Sequence, residues 1–177
     1  EEFLSLLKHD WIVSLIILGG AFLLAIVADI VVGFLLRRFN NRILFNKVRV
    51  STAGLRAPLR LLIPSGFVLL AIPMLKFPGK AVLYISSICN ILFISSIGWL
   101  AIRTVHALKD SFLSMYDISV SDNLKARSVH TQVKVIENIL ITLVVFFTIS
   151  FVLMSFENVR QIGTALLASA GILGMII

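Results

Sequence analysis

Charge is scarce in this sequence, and negative charge scarcest. Asp, Glu, Lys and Arg make up 14% of its 177 residues, with 9 acids against 16 bases. Its one cysteine, Cys89, excludes an intrachain disulfide and a thiolate metal cluster. Cys89 lies in an apolar run and reads as a packing residue. The three histidines, His9, His106 and His130, are too scattered for metal-ligand spacing. There is no His-Glu-x-x-His, Walker A or dinucleotide motif, and no Gly-x-Ser-x-Gly elbow. These absences leave no catalytic residue, cofactor site or metal ligand to name, and the chain is expected not to be an enzyme.

What remains is apolar. The residues are 59% hydrophobic and the mean hydropathy is +1.03, which implies an all-α integral membrane protein. The net charge of +7 would suggest nucleic acid in another setting. Here the bases sit between apolar runs, where they set topology and meet anionic headgroups; no nucleic-acid partner is expected. No Met opens the chain and it closes within an apolar run, so a piece of a longer protein is expected.

Five transmembrane helices follow from the pattern. Residues 1–10, EEFLSLLKHD, are amphipathic and of mixed charge. The first span covers 11–36, with Trp11 at one interface and Arg37 and Arg38 at the other. Asp29 lies inside it, and is expected to be neutral or to face a polar neighbour or the headgroups. Residues 37–60 carry Arg37, Arg38, Arg42, Lys47, Arg49, Arg56 and Arg60 without an acid, and are expected to lie along the headgroups. The second span, 59–75, is short and holds Pro64, Gly66 and Pro73, which predict a kink or broken start. A turn at 76–80 leads to the third span, 81–102. Its Ser86, Ser87, Asn90, Ser95 and Ser96 are expected to bond to neighbouring helices. Arg103, His106, Lys109 and Asp110 carry that helix out of the membrane. A polar break at 111–122 ends in Ser121, Asp122 or Asn123 as a cap. The fourth helix runs over 123–156, apolar from residue 139, and a turn at 157–160 precedes the fifth segment.

That last segment, IGTALLASAGILGMII over 162–177, has no charge and many small residues. At 100° per residue Gly163, Ala170 and Gly174 share one line. Thr164, Ala168, Gly171 and Met175, spaced 4, 3 and 4, form a stripe beside it. Helices in lipid associate by close backbone packing at small residues, so this face predicts another helix against it, in the same subunit or in a ring of identical ones. The ring reading makes Thr164, Ala168, Gly171 and Met175 pore-lining, with Gly163, Ala170 and Gly174 as helix packing. Bases are concentrated between spans one and two and between spans three and four, which places those loops in the cytoplasm and the N-terminus outside. Arg37, Arg38, Arg42, Arg103 and Arg127 are the residues expected to hold lipid headgroups.

Two stretches resemble the small-conductance mechanosensitive channel family: Arg127-Ser-Val-His-Thr131-Gln132 at the start of the fourth helix, and Gly163-Thr-Ala-Leu-Leu-Ala-Ser-Ala-Gly171-Ile172 in the fifth. The resemblance covers 123–177, with Leu173 where the family commonly has a smaller residue. It implies a homoheptamer in the bacterial inner membrane, opened by tension and passing ions and small osmolytes during osmotic stress. The fifth helix, 161–177, would line a central pore. Residues 1–110 would be outer helices and 111–177 the core pair, cut before a cytoplasmic β domain. Membrane lipids and identical subunits are the implied partners, with no cofactor. The competing expectation is a secondary transporter or a non-conducting helix bundle, which a lack of equal halves and of a charge in the last helix disfavours.

Overall fold

In a computed structural model of the chain, residues 2–42, 52–75, 79–113 and 124–176 are described. They form α1 (Glu2–Arg42), α2 (Arg56–Ala71), α3 (Gly79–Leu113), α4 (Leu124–Met154) and α5 (Arg160–Ile176). Short 3-10 turns lie at Thr52–Leu55, Ile72–Met74 and Glu157–Val159. No strand occurs among the described residues. Four stretches are long and apolar enough to cross a membrane: Trp11–Leu36, Arg56–Met74, Val82–Leu113 and Ser128–Met154. The 17 residues of α5 reach about 25 Å, at the lower limit for a crossing.

The helices exceed the apolar runs. Residues 2–10 join α1 rather than forming a separate tail, because nothing in EEFLSLLKHD breaks a helix. The basic segment 37–60 is not one surface stretch: 37–42 extend α1, 52–55 form a turn and 56–60 open α2, while 43–51 lie outside the described residues. The cap residues Ser121, Asp122 and Asn123 and most of the 76–80 turn also lie outside the described residues. The α2 helix runs through Pro64, and Pro73 begins the 3-10 turn that follows. Among the expected interhelical serines, Ser87 and Ser96 instead donate within α3, to the carbonyls of Leu83 (2.9 Å) and Leu92 (2.6 Å). In an apolar setting the carbonyl one turn back is the nearest acceptor.

Each helix packs chiefly on its neighbours in sequence, antiparallel throughout. Asp29 faces Arg60 and Gly33 faces Arg56, which fixes α1 on α2. Gly66 meets Phe93 and Gly54 meets Arg103, which fixes α2 on α3. Gly98 meets Thr148 and Lys109 meets Glu137, which fixes α3 on α4. Gly163 lies against Ser150 and Met154, which fixes α5 on α4. On α3, Phe93, Ser96, Arg103 and Ala107 share one face, and Gly98 and Lys109 fall about 180° away. One helix is thereby lined for two partners.

The buried residues are small. Ser14, Ala21 and Ala25 of α1, Ser65 and Ala71 of α2, Ser96 and Ala107 of α3 and Ser150 of α4 are all buried. Large apolar side chains point outward, Leu70 being 75% exposed. Only 11–17% of the most apolar window of each candidate span is buried, so the outward surface is what lipid or further copies must cover.

Register sets depth. Carried along ideal helix axes, the Gly66–Phe93 contact puts Leu75 level with Tyr84, and the α1–α2 contacts at Asp29 and Gly33 put Trp11 near the level of Ala81. Trp99 lies eighteen positions further along α3, about 27 Å away, close to the hydrocarbon thickness. The Gly98–Thr148 contact puts Met154, the last residue of α4, level with Leu92. The turn joining α4 to α5 therefore stops about 15 Å short of the Trp11 plane.

Glycine substitutions test this packing. A Cβ on Gly163 would lie 2.6 Å from the Ser150 carbonyl oxygen and 3.0 Å from the Met154 amide nitrogen, backbone that cannot step aside. A Cβ on Gly98 would meet the Thr148 side chain, which can turn away at the loss of its 2.7 Å bond to Val144. A Cβ on Gly174 meets nothing within 4 Å. Thermal unfolding in detergent should therefore rank Gly163→Ala as most destabilising, about 1–3 kcal/mol, then Gly98→Ala, with Gly174→Ala neutral. A neutral Gly163→Ala would show that α4 and α5 are not in backbone contact.

Candidate functional site

The residues expected at a pore lie on α5, and α4 decides which remain open. Gly163 is buried against α4, and Leu166, Leu167 and Ala170 beside it are half-buried. Of the three residues expected to take a neighbouring helix, Gly163 is thus used within the subunit and Ala170 partly so. Gly174 is exposed, and neither it nor Gly171 has any atom within 4 Å of an added Cβ. The stripe of Thr164, Ala168, Gly171 and Met175 is exposed along its whole length, and Met175 is 89% exposed. Its one side-chain polar group is satisfied locally: Thr164 Oγ1 donates to the Gln161 carbonyl (2.9 Å). The face is left apolar, uncharged and nearly bare.

The five arginines expected at headgroups divide into two sets. Arg37, Arg38 and Arg42 stand in the last turns of α1, and Arg103 lies on α3 against Gly54 of the first 3-10 turn. The antiparallel register puts these at one end of the helices, with Arg38 and Arg103 exposed. Arg127, in the first turn of α4, is not brought to them. The α3–α4 register puts Arg103 level with Leu143, and Arg127 lies about 24 Å further along. Asp29 has a polar neighbour, Arg60, whose Nε is 4.0 Å from Asp29 Oδ2. By register this pair is level with Trp99, toward the membrane edge.

A polar cluster between α3 and α4 has no counterpart in the sequence reading. Glu137 is buried, 9% exposed. Lys109 Nζ is 3.1 Å from its Oε1 and His106 Nε2 is 3.9 Å away. Lys109 also reaches Asp110 (3.5 Å), and His106 Nδ1 donates to the Ile102 carbonyl (2.9 Å). His130 Nε2 is buried without a hydrogen-bond partner one heptad before Glu137. The signal was present as spacing: His106 and Lys109 are three apart, and His130 and Glu137 seven apart, each pair on one helix face. By register, Met175 at the end of α5 is level with His106. Among the described residues, no three His, Cys, Asp or Glu side chains gather as a metal site.

Compared with family models, curated proteins and solved structures, the chain matches none. Its reading rests on its own residues.

The two ion pairs differ in kind, and their removal should differ in cost. Lys109→Leu leaves buried Glu137 with the longer 3.9 Å contact to His106 in place of its ammonium partner, a loss of up to about 3–5 kcal/mol. Replacing both by leucine removes the orphaned charge and should restore most of that. Asp29→Ala breaks a long contact to an Arg60 side chain that is 62% exposed, worth about 1 kcal/mol or less. Apparent melting temperatures of the three variants in detergent check the ranking. Equal losses for Lys109→Leu and the double variant would mean the pair is not an interacting unit.

Proposed function

We propose that the chain is the membrane part of a mechanosensitive ion channel subunit, akin to the small-conductance family that two of its stretches resemble. In this reading α5 is the fifth crossing and lines a central pore in a ring of identical subunits, seven by that resemblance. Membrane tension opens the pore and releases ions and small osmolytes during hypo-osmotic shock.

The observation that carries this is the depth of the turn between α4 and α5. Glu157, Asn158 and Arg160 are exposed, in or beside irregular backbone, about 15 Å inside the Trp11 plane. Non-helical backbone and charge at such depth are tolerated only when buried in protein or lining a water-filled cavity. A funnel at the centre of a ring supplies that cavity, and the bare face of α5 continues it inward. The last turns of α1 and α3 and the first turns of α2 and α4 gather Arg38, Arg56, Arg60, Arg103, Lys109 and Lys134 toward one end. Basic residues mark the cytoplasmic side, so the recessed turn opens to the outside, which in a bacterial inner membrane is the periplasm. Met175, large and apolar at the inward end of the stripe, is the constriction, and it closes by excluding water. An open state of larger in-plane area gains population as tension rises.

Labelling tests the funnel. With Cys89→Ser as background, Asn158→Cys should react with a membrane-impermeant maleimide added from outside. A residue sealed in lipid or protein would stay unlabelled, and that result removes the support for a pore.

Patch recordings test the gate. Met175→Ser should wet the constriction and give current at lower tension, and Gly171→Leu should narrow the stripe and reduce current. The subunit count in lipid nanodiscs should exceed one. A folded monomer, or Met175→Ser indistinguishable from the parent at every tension, rejects this assignment.

A further inference from the structure

One stripe of α2 changes chemistry half way along. Arg56, Arg60, Ile63, Phe67 and Leu70 are spaced 4, 3, 4 and 3, which keeps them on one helical face. The first two are cationic and the last three line a groove of about 510 Å³ shared with Ala28 and Val32 of α1 and Phe93 of α3. The walls are almost wholly apolar. The cationic end is held open by Gly33: a Cβ there would lie 3.1 Å from an Arg56 terminal nitrogen, so the guanidinium rests on bare helix backbone. Arg56 Nε is buried and has no hydrogen-bond partner, an unused donor where such donors are ordinarily satisfied. Among the described residues, the ion contact of Arg60 is the long one of 4.0 Å to Asp29, and its side chain is 62% exposed.

We propose that this stripe is the seat of one anionic phospholipid of the cytoplasmic leaflet. Its phosphate takes the Arg56 and Arg60 guanidinium groups, and one acyl chain lies along Ile63, Phe67 and Leu70 in the groove. Arginine suits a phosphate because its planar fork donates two parallel bonds. Depth agrees. By register Arg60 is level with Trp99, where headgroups begin, and the groove runs from there toward the membrane centre. The stripe from Arg56 to Leu70 is about 21 Å long, enough for a headgroup and most of a chain. A water-soluble phosphate would use only the cationic end and leave the groove unexplained, which is why a lipid is the occupant.

This seat differs from a general attraction of surface arginines to the leaflet, because it is a single place with a head end and a tail end. It depends on the chain spanning a membrane and is independent of conduction. The experiment is native mass spectrometry of the protein released from nanodiscs containing phosphatidylglycerol and phosphatidylcholine. One phosphatidylglycerol per chain should survive activation that strips the rest. Arg56→Gln with Arg60→Gln should lower that retention about tenfold or more. Val32→Trp, which fills the groove and leaves both arginines in place, should lower it comparably. Excess inorganic phosphate should not displace the lipid. Retention unchanged in both variants overturns the proposal. Loss with the arginine variant but not with Val32→Trp reduces the site to a surface headgroup contact and also overturns it, as does displacement by inorganic phosphate. Should the double variant fail to fold, Val32→Trp and the phosphate competition still decide.

Discussion

Lipid tails are as apolar as leucine, so burying leucine against leucine stabilises a helix pair in a membrane very little. The arrangement depends instead on how closely two backbones can approach. At each helix contact the decisive residue is small or absent as a side chain: Gly33 under Arg56, Gly66 under Phe93, Gly98 under Thr148 and Gly163 under Ser150. The alanines and serines buried along α1, α2 and α3 serve the same purpose. Dispersion contacts on these bare helix surfaces, made by side chains at Gly33, Gly66 and Gly98 and by backbone at Gly163, are each small and jointly large, and they replace the hydrophobic drive that water would supply. The exposed Leu, Ile and Phe are then the surface that meets the acyl chains.

This constraint also sets depth. Glycine contacts pin one helix to the next at a fixed register, so a helix cannot slide to place its own apolar run at the membrane centre. The α1, α2 and α3 helices share a register whose Trp11 and Trp99 planes match the hydrocarbon thickness. The α4–α5 hairpin is locked to α3 further toward the basic end, and its charged turn is recessed. Four long apolar helices give a membrane protein; a hairpin held out of step with them raises the question of what surrounds its turn. In the proposed channel, a helix as short as α5 would suffice because it starts from that recessed turn rather than from the membrane surface.

The sequence was a good guide to what hydropathy controls and a poor one to what register controls. The five helices, their order and the open stripe of α5 follow from apolar runs and small-residue spacing. Helix ends were missed where no breaker stopped a charged extension, as at residues 2–10 and 37–42. Ser87 and Ser96 of α3 bond within their own helix because a hydroxyl finds its own helix's carbonyl before a neighbour's. The Lys109–Glu137 pair escaped because each residue alone looks like a solvated helix end. Only the α3–α4 register, set eleven residues away at Gly98, brings them face to face.

That last coupling bears on how the two halves of the chain can act together. A buried carboxylate is costly unless paired, so Glu137 ties α4 to α3 at the level Met175 occupies on α5. The close contact of Gly163 ties α5 to α4 at the opposite end. The α5 helix packs on α4 from Gly163 through Leu166, Leu167 and Ala170, and beyond these Gly171 and Gly174 are clear of the rest of the chain. In the ring we propose, the bare end of α5 is the part free to move while α3 and α4 stay joined. In the channel proposed above, an open and a closed position of α5 would differ mainly in which copy covers Gly171 and Gly174. The α3–α4 unit, clasped by Lys109 and Glu137, is the part of the proposed channel on which the outer helices and the lipid around them would pull.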